Sequence, residues 1–287
     1  PDIIKRFRQS VLAAAVSGKL TEQWRVKNEA ENTRNDFGNL NEIEHKFEIP
    51  KNWLGVDLGS VSEKVSVGHV GKTTEFYTDE YNGIPFLRSQ NVRQGYVSRK
   101  GLAYITEEFH QKLKKSQLKP GDLMVVRVGA NRGDACVLGE LFEEVNCANI
   151  VFARPDKRLS SYLDIYFQSP VVRSLLLGVS VGGAQGVINT KSVSQSFIAL
   201  PPINEQTEIV HLVEQYFALA DTLEKNLANA KQRVDNLTQS ILAKAFKGEL
   251  VPQDPNDEPA DKLLDRIKAA RLEAEKLEKV AKKVAKN

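Results

Sequence analysis

Between Asn204 and Lys247, apolar or small residues fall at Ile209, Val213, Tyr216, Ala220, Leu223, Leu227, Ala230, Val234, Leu237 and Ile241. The gaps alternate four and three without a break, which marks a heptad seam rather than the wider stripe of an ordinary surface helix. Neither Pro nor Gly interrupts the stretch before Gly248. Pro201 and Pro202 stand ahead of it and cannot sit inside a helix, so Asn204 is the expected N-cap. Glu205 and Glu208 then bring negative charge to the first turn, where the helix dipole favours it. Lys244 and Lys247 suit the other end, Gly248 suits the left-handed position after it, and Pro252 follows. The pattern predicts one helix over 204–248, about 60 Å long. No compact domain of ordinary size is that wide, so the helix needs a partner for its seam.

A second, shorter helical pattern opens the chain. Ile4, Phe7, Val11 and Ala15 share a face, and Gly18 ends it. Its end repeats the end of the long helix. Gln9-Ser10-Val11-Leu12-Ala13-Ala14-Ala15-Val16-Ser17-Gly18-Lys19-Leu20 aligns with Gln239-Ser240-Ile241-Leu242-Ala243-Lys244-Ala245-Phe246-Lys247-Gly248-Glu249-Leu250, with seven of twelve positions identical. The two copies of this repeat are helix ends, and the rest of the fold lies between them.

Residues 21–48 are polar, with few apolar positions, and read as a linker or surface excursion. A globular region follows over 49–203. Trp53–Leu58 reads as its opening strand, Ile84–Leu87 follows the turn at Tyr81-Asn82-Gly83, and Leu123–Val128 with Ala135–Leu138 reads as a hairpin. Asn149–Ala153 and Phe197–Leu200 are further strands, and Ser161–Leu177 carries apolar residues at helical spacing. The mixture predicts an α+β fold with a twisted sheet, joined to long coiled-coil helices. The last segment, 249–287, holds an amphipathic charged helix over 259–286 with Leu263, Leu264, Ile267, Ala270, Ala274, Leu277, Ala281 and Val284 on one stripe. That helix is either solvated and braced by pairs such as Glu275–Lys279 and Glu278–Lys282, or a docking surface.

Three signals in this order carry a resemblance. Ile84-Pro85-Phe86-Leu87-Arg88-Ser89-Gln90-Asn91-Val92 comes first and Lys119-Pro120-Gly121-Asp122-Leu123 second. Third is Gly183-Ala184-Gln185, leading to Leu200-Pro201-Pro202-Ile203-Asn204-Glu205-Gln206 and the long helix. Over essentially its whole length the chain resembles the specificity subunit of type I restriction–modification enzymes. In that family a target-recognition domain is followed by a long helix, and the unit usually occurs twice in tandem. This chain has one such domain, one complete helix and only the tail of a preceding helix at 1–20, so it resembles the second half of such a subunit or a half-sized version. It opens on Pro1, as a piece of a longer chain or a chain that has lost its initiator would. The resemblance implies that the chain is non-catalytic, that it reads a bipartite target in double-stranded DNA, and that its partners are modification (methyltransferase) subunits and a restriction/translocase subunit. It implies no cofactor in this chain, with S-adenosylmethionine in the methyltransferase partner.

Composition adds limits. The 287 residues, 41% of them hydrophobic, support a real core, and the net charge of +3 permits nucleic-acid binding without arguing for it. Cys136 and Cys147 form no disulfide framework and have no metal spacing; they read as buried reduced thiols in a cytoplasmic protein. Neither a membrane span nor a signal peptide is visible. Catalytic signatures do not appear either. No nucleotide-binding glycine loop follows a strand, and Ile203 after Pro201-Pro202 departs from the Asn-Pro-Pro-aromatic motif of adenine methyltransferases. His45, His69, His110 and His211 are scattered and read as solvated surface residues. The residues therefore point to binding without catalysis.

Reading DNA needs cations for phosphates and amide or guanidinium groups for base edges. Turns in the globular region offer Lys72-Thr73-Thr74, Arg88-Ser89-Gln90-Asn91, Arg127 with Asn131 and Arg132, and Gln185 with Asn189 and Lys191. Plain turn chemistry explains such residues equally well, and residues 50–200 hold 18 Lys/Arg against only 14 Asp/Glu. The run Gly182–Gly186 reads either as a backbone approach to phosphate or as a flexible connection. Two rival readings stand beside DNA recognition: a coiled-coil scaffold whose globular domain binds protein, and an enzyme with an unrecognised site in 50–200. For the seam the simplest expectation is a two-fold homodimer of antiparallel helices.

Overall fold

The computed structural model describes residues 2–28, 32–38, 40–178, 186–252 and 254–284. The chain divides into two compact units, Pro1–Glu224 and Lys225–Asn287.

The first unit opens with α1 (Asp2–Val16), α2 (Glu22–Lys27) and α3 (Thr33–Phe37). Then come β1 (Leu54–Asp57), β2 (Ser62–Val67), β3 (Tyr77–Thr78), β4 (Ile84–Leu87), β5 (Val92–Arg93), β6 (Tyr96–Val97), β7 (Ala103–Ile105) and α4 (Glu107–Lys112). The remainder is β8 (Leu123–Val126), β9 (Ala135–Val137), β10 (Asn146–Cys147), β11 (Ile150–Pro155), α5 (Ser160–Gln168), α6 (Pro170–Gly178), α7 (Thr190–Ser194), β12 (Phe197–Leu200) and the start of α8 (Ile203–Phe246).

The central sheet has the order β2-β11-β8-β9, and β11 pairs antiparallel with both neighbours. Both faces of this sheet are covered. Leu123, Val125, Val151 and Ala153 point into a core shared with α1, α5, α6 and the first turns of α8, while Met124, Val126, Ile150 and Phe152 point into a second core with Leu87, Val92 and Leu138. That two-sided burial is why β8 reads as an unbroken apolar run rather than an alternating one. A second four-stranded sheet, β10-β4-β7-β3, adjoins it, and β1 pairs antiparallel with β12 to tie the two ends of the domain together. Tyr162 and Tyr166 of α5 lock β12 in place by donating their hydroxyls to the carbonyls of Ala199 and Phe197.

Several sequence expectations need correction. The single helix expected over Ser161–Leu177 is two, because Pro170 has no N–H to donate to the Tyr166 carbonyl and Ser169 before it is held in an extended conformation, ψ 133. The stretch 21–48 is no mere linker. Thr33 is fully buried and donates its hydroxyl to the carbonyls of Asn52 and Leu200, and Phe37, Leu40, Ile43 and Phe47 pack on the main core. These apolar residues are too widely spaced to show a period, yet each finds the core. His110 is buried rather than solvated, its ring nitrogens lying 3.1 and 3.4 Å from the side-chain amides of Gln117 and Asn146.

The long helix begins one residue earlier than the caps suggested. Asn204 is not its N-cap. Instead the backbone N–H of Ile203 donates to Asp36 Oδ2 at 2.8 Å, a cap supplied from α3 far away in sequence. Glu205, assigned to the helix dipole, is fully buried. Its carboxylate accepts from Thr21 Oγ1, Arg25 Nη1, Asn52 Nδ2 and Trp53 Nε1. These bonds join α1's end, α2, the approach to β1 and the first turn of α8 at one buried charge.

The heptad seam is only partly open. Ile209, Val213 and Ala220 are buried, and Phe7 of α1 meets Tyr216 edge to face with ring centroids 6.0 Å apart. Arg8 donates to Asp221 at 2.6 Å. Beyond that point Leu223, Leu227, Val234, Leu237 and Ile241 are exposed, Leu227 by 51%. Residues of α8 from Lys225 on, together with α9 (Ala260–Val284), belong to the second unit. Every α9 side chain described is exposed, and Glu278–Lys282 forms an ion pair at 2.6 Å, whereas Glu275 and Lys279 form none among the described residues.

Both cysteines are free and buried, as expected. Burial pushes the Cys136 thiol up to about 12, and it raises Cys147 as well. Thiolate is the reactive form, so both thiols stay inert at pH 8. A disulfide-exchange reagent should label neither in the folded chain and both after unfolding; rapid labelling without denaturant would contradict this packing.

Candidate nucleic-acid interface

The loops at one end of the central sheet converge. The connection 68–76 leaves β2, Arg88–Gln90 leaves β4, the turn 127–134 joins β8 to β9, and Ala148–Asn149 leads into β11. They form an open cleft of about 360 Å³ whose lining includes Thr73, Tyr77, Arg88, Ser89, Gln90, Asn131 and Asn149. Five of the residues singled out from the sequence, Thr73, Arg88, Ser89, Gln90 and Asn131, thus meet in one place, with Lys72 exposed between Gly71 and Thr73.

The cleft side chains are held but not exhausted. Arg88 Nη2 donates to the Gly101 carbonyl at 2.8 Å, and its guanidinium lies over the Tyr77 ring, 5.8 Å from the centroid. Arg88 Nε is buried without a partner among the described residues. Gln90 Nε2 donates to the same carbonyl at 3.0 Å, and Ser89 Oγ donates to the Asn149 carbonyl at 3.0 Å. Asn149 has φ +55, the only positive φ of a non-glycine residue among those described; Asn tolerates that region better than most. A donor-rich cleft of this kind suits an anionic or acceptor-bearing ligand.

Charge distinguishes this cleft from two larger hollows of the globular unit. No Asp or Glu lines it. A wider hollow of about 830 Å³ beside α5 and the start of α8 carries Glu140, Asp164, Glu214 and Asp221 against Lys157, which disfavours phosphate. Burial raises the Asp164 carboxyl above its usual range, against the opposing pull of the Val137 N–H. A third hollow includes Asp122, whose carboxylate is already engaged by Arg154 Nε and Nη2 at 2.8 and 2.7 Å. Among the described residues no group of three or more His, Cys, Asp or Glu could hold a metal, and no helix is long and apolar enough to cross a membrane.

The other sequence-derived residues serve the fold or lie elsewhere. Asn91 is fully buried; its Oδ1 accepts the Arg88 N–H and its Nδ2 donates to the carbonyls of Ser98 and Lys100, so it shapes the loop from inside. Asn189 caps α7 by accepting the Ser192 N–H at 2.8 Å. Lys191 lines a separate shallow hollow with Gly59, Lys64 and Ser194. The Arg132 side chain donates to the Gly186 carbonyl and so anchors the segment entering α7. At Arg127 only the backbone carbonyl holds that segment, by accepting the Ile188 N–H, and the side-chain Nε is buried without a hydrogen-bond partner among the described residues. Gln185 lies outside the described residues, as do Gly182–Ala184. Sequence reasoning missed Tyr77 and Asn149. Tyr77 carries no turn signal, and the left-handed backbone at Asn149 is hinted at only by its residue type.

Comparison with known proteins bears on this geometry. The family described as Type I restriction modification DNA specificity domain matches residues 50–232. The chain is 37% identical to the type I restriction enzyme EcoKI specificity subunit of Escherichia coli K12 and 35% identical to the EcoBI specificity subunit of Escherichia coli. Each alignment covers 94% of this chain, and 56% and 57% of the relative. The chain therefore spans a little over half the length of these relatives. Among solved structures, one from work on assembly and conformational transition of the type I R-M system shares the fold at TM-score 0.56 and 21% identity, covering 87% of this chain and 56% of that one. The HsdS subunit from Thermoanaerobacter tengcongensis shares it at TM-score 0.52 and 22% identity, with the same coverage.

Proposed function

The chain belongs to the type I restriction–modification DNA specificity family, and from that premise we propose that it is a non-catalytic DNA-recognition unit that positions a partner methyltransferase on a bipartite target. The observation that carries this reading is the cleft at the end of the central sheet, rich in hydrogen-bond donors and lined by no carboxylate. Arg88 and Lys72 supply cations for phosphate oxygens, and Gln90 and Asn131 supply the amide groups that read base edges. S-adenosylmethionine belongs to the methyltransferase partner, a restriction/translocase subunit joins the same assembly, and the whole works in the cytoplasm.

A second copy, paired antiparallel along the open seam, supplies the missing helix and sets two identical domains on opposite strands. Its target is two identical half-sites around an unread spacer, since protein symmetry mirrors site symmetry. Replacing both Leu223 and Leu227 with Asp should abolish this assembly, read by light scattering, and leave the globular unit folded. A double variant that assembles as the wild type does would remove the seam from the interface.

Duplex binding tests the reading itself. With its methyltransferase partner present, the chain should bind DNA with an affinity that falls steeply as salt rises, because phosphate neutralisation releases counterions. Absent or salt-independent binding would favour a scaffold that holds protein instead.

A further inference from the structure

The two copies of the internal repeat lie in opposite environments. In the first, Val11, Leu12, Ala15 and Val16 are buried, Ala15 and Val16 to 0% and 1% exposure, and α1 packs on α5 and α6. In the second, their counterparts Ile241, Leu242, Ala245 and Phe246 are all exposed, Phe246 by 89%. The correspondence reaches beyond the aligned twelve residues. An offset of 230 residues, the separation of Gln9 and Gln239, carries Ile4, Phe7 and Val11 onto Val234, Leu237 and Ile241, so the apolar face keeps its heptad phase. The terminal glycines also match, with φ +74 at Gly18 and +73 at Gly248.

We propose that these two helix ends are interchangeable occupants of one groove, and that the end of α8 from a second copy takes the place of α1 on the globular unit. The groove is made by α5, α6 and the first five turns of α8, and α1 fills it in this structure. The inference rests on seam pairing with a second copy and adds its register and its gate.

The register follows from the contacts. Thr21 bonds Glu205 and Arg8 bonds Asp221, so α1 runs antiparallel to α8. Phe7 lies beside Tyr216. By the offset, Leu237 of a second copy replaces Phe7 and lies beside Tyr216, and the reciprocal contact forms in the other copy. The two-fold axis then falls midway between residues 216 and 237, near Leu227. Pairing in this register needs the stretch 209–224 of each copy, which α1 covers. The tether gives α1 a high effective concentration in its own groove, so α1 opposes exchange. Had the copies paired with α1 in place, only the open half of the seam could meet, and the axis would shift to Val234.

Single cysteines on the seam separate the two registers, since Cys136 and Cys147 are buried. Under mild oxidation the full chain carrying Leu227→Cys should crosslink to a dimer, and Val234→Cys should not. Ala15→Asp, which expels α1, should raise the Leu227→Cys yield several-fold. Ile241→Asp changes only an exposed residue in the single chain and should abolish that crosslink. Crosslinking through Val234→Cys instead, or a Leu227→Cys crosslink that survives Ile241→Asp, overturns the exchange whether or not Ala15→Asp folds. Loss of crosslinking with duplex binding retained would sink this inference alone and leave the recognition role standing.

Discussion

Replacing Glu205 with Ala will destabilise the globular unit by about 3–5 kcal/mol, the range for removing one partner of a buried ion pair. The carboxylate is fully buried and holds four donors, among them Arg25 and the Trp53 indole N–H at 2.8 Å. Without it the Arg25 guanidinium, whose side chain is 16% exposed, keeps a charge with no counterion, and three neutral donors lose their acceptor. Glu205→Gln keeps the shape and an acceptor oxygen, so its loss should be smaller. Denaturant unfolding checks both, and a Glu205→Ala midpoint equal to that of the wild type would contradict the clamp. Because Glu205 stands in the first turn of α8 and Thr21 and Arg25 directly follow α1, this cluster also ties the end of α1 to the start of α8.

The second large effect concerns the cleft. Substituting Ala for Gln90 or Asn131 should cost about 1–3 kcal/mol of discrimination at one base position if the amide reads a base edge. Arg88→Ala should behave in the same way if its guanidinium meets guanine, or weaken all sequences alike if it meets phosphate. Arg132→Ala makes the contrast. Its guanidinium holds the Gly186 carbonyl, so its loss should lower stability and leave base preference intact. Binding to a panel of duplexes, together with thermal unfolding of each variant, reads the two effects separately. Unchanged specificity for Gln90, Asn131 and Arg88 variants together would move the DNA face elsewhere.

Periodicity and punctuation made the scaffold legible. The α8 heptads, the repeat with its two glycine stops and the β8–β9 hairpin all rest on local patterns that the fold preserves. What stayed hidden depended on distant partners. The carboxylate of Asp36 caps α8 from 167 residues away, and Asn204 looked like the cap because it satisfies the local rule. Glu205 sits where a dipole-compensating acid belongs, and only the tertiary structure surrounds it with donors. The polar stretch 21–48 docks through single apolar residues that show no period. For the cleft, residue type marked most of its polar members, but the same chemistry at Asn91, Asn189 and Arg132 serves the loops and caps that build it. Sorting the two groups required knowing which segments, far apart in sequence, meet at the end of one sheet.

Mapping methylated adenines in cells that carry this chain together with the proposed modification subunit tests the recognition role most directly. The expected result is a bipartite motif that disappears without the chain and loses one specified base in the Gln90→Ala or Asn131→Ala variant. A methylation pattern that is the same with the chain, without it and with either variant would contradict the assignment.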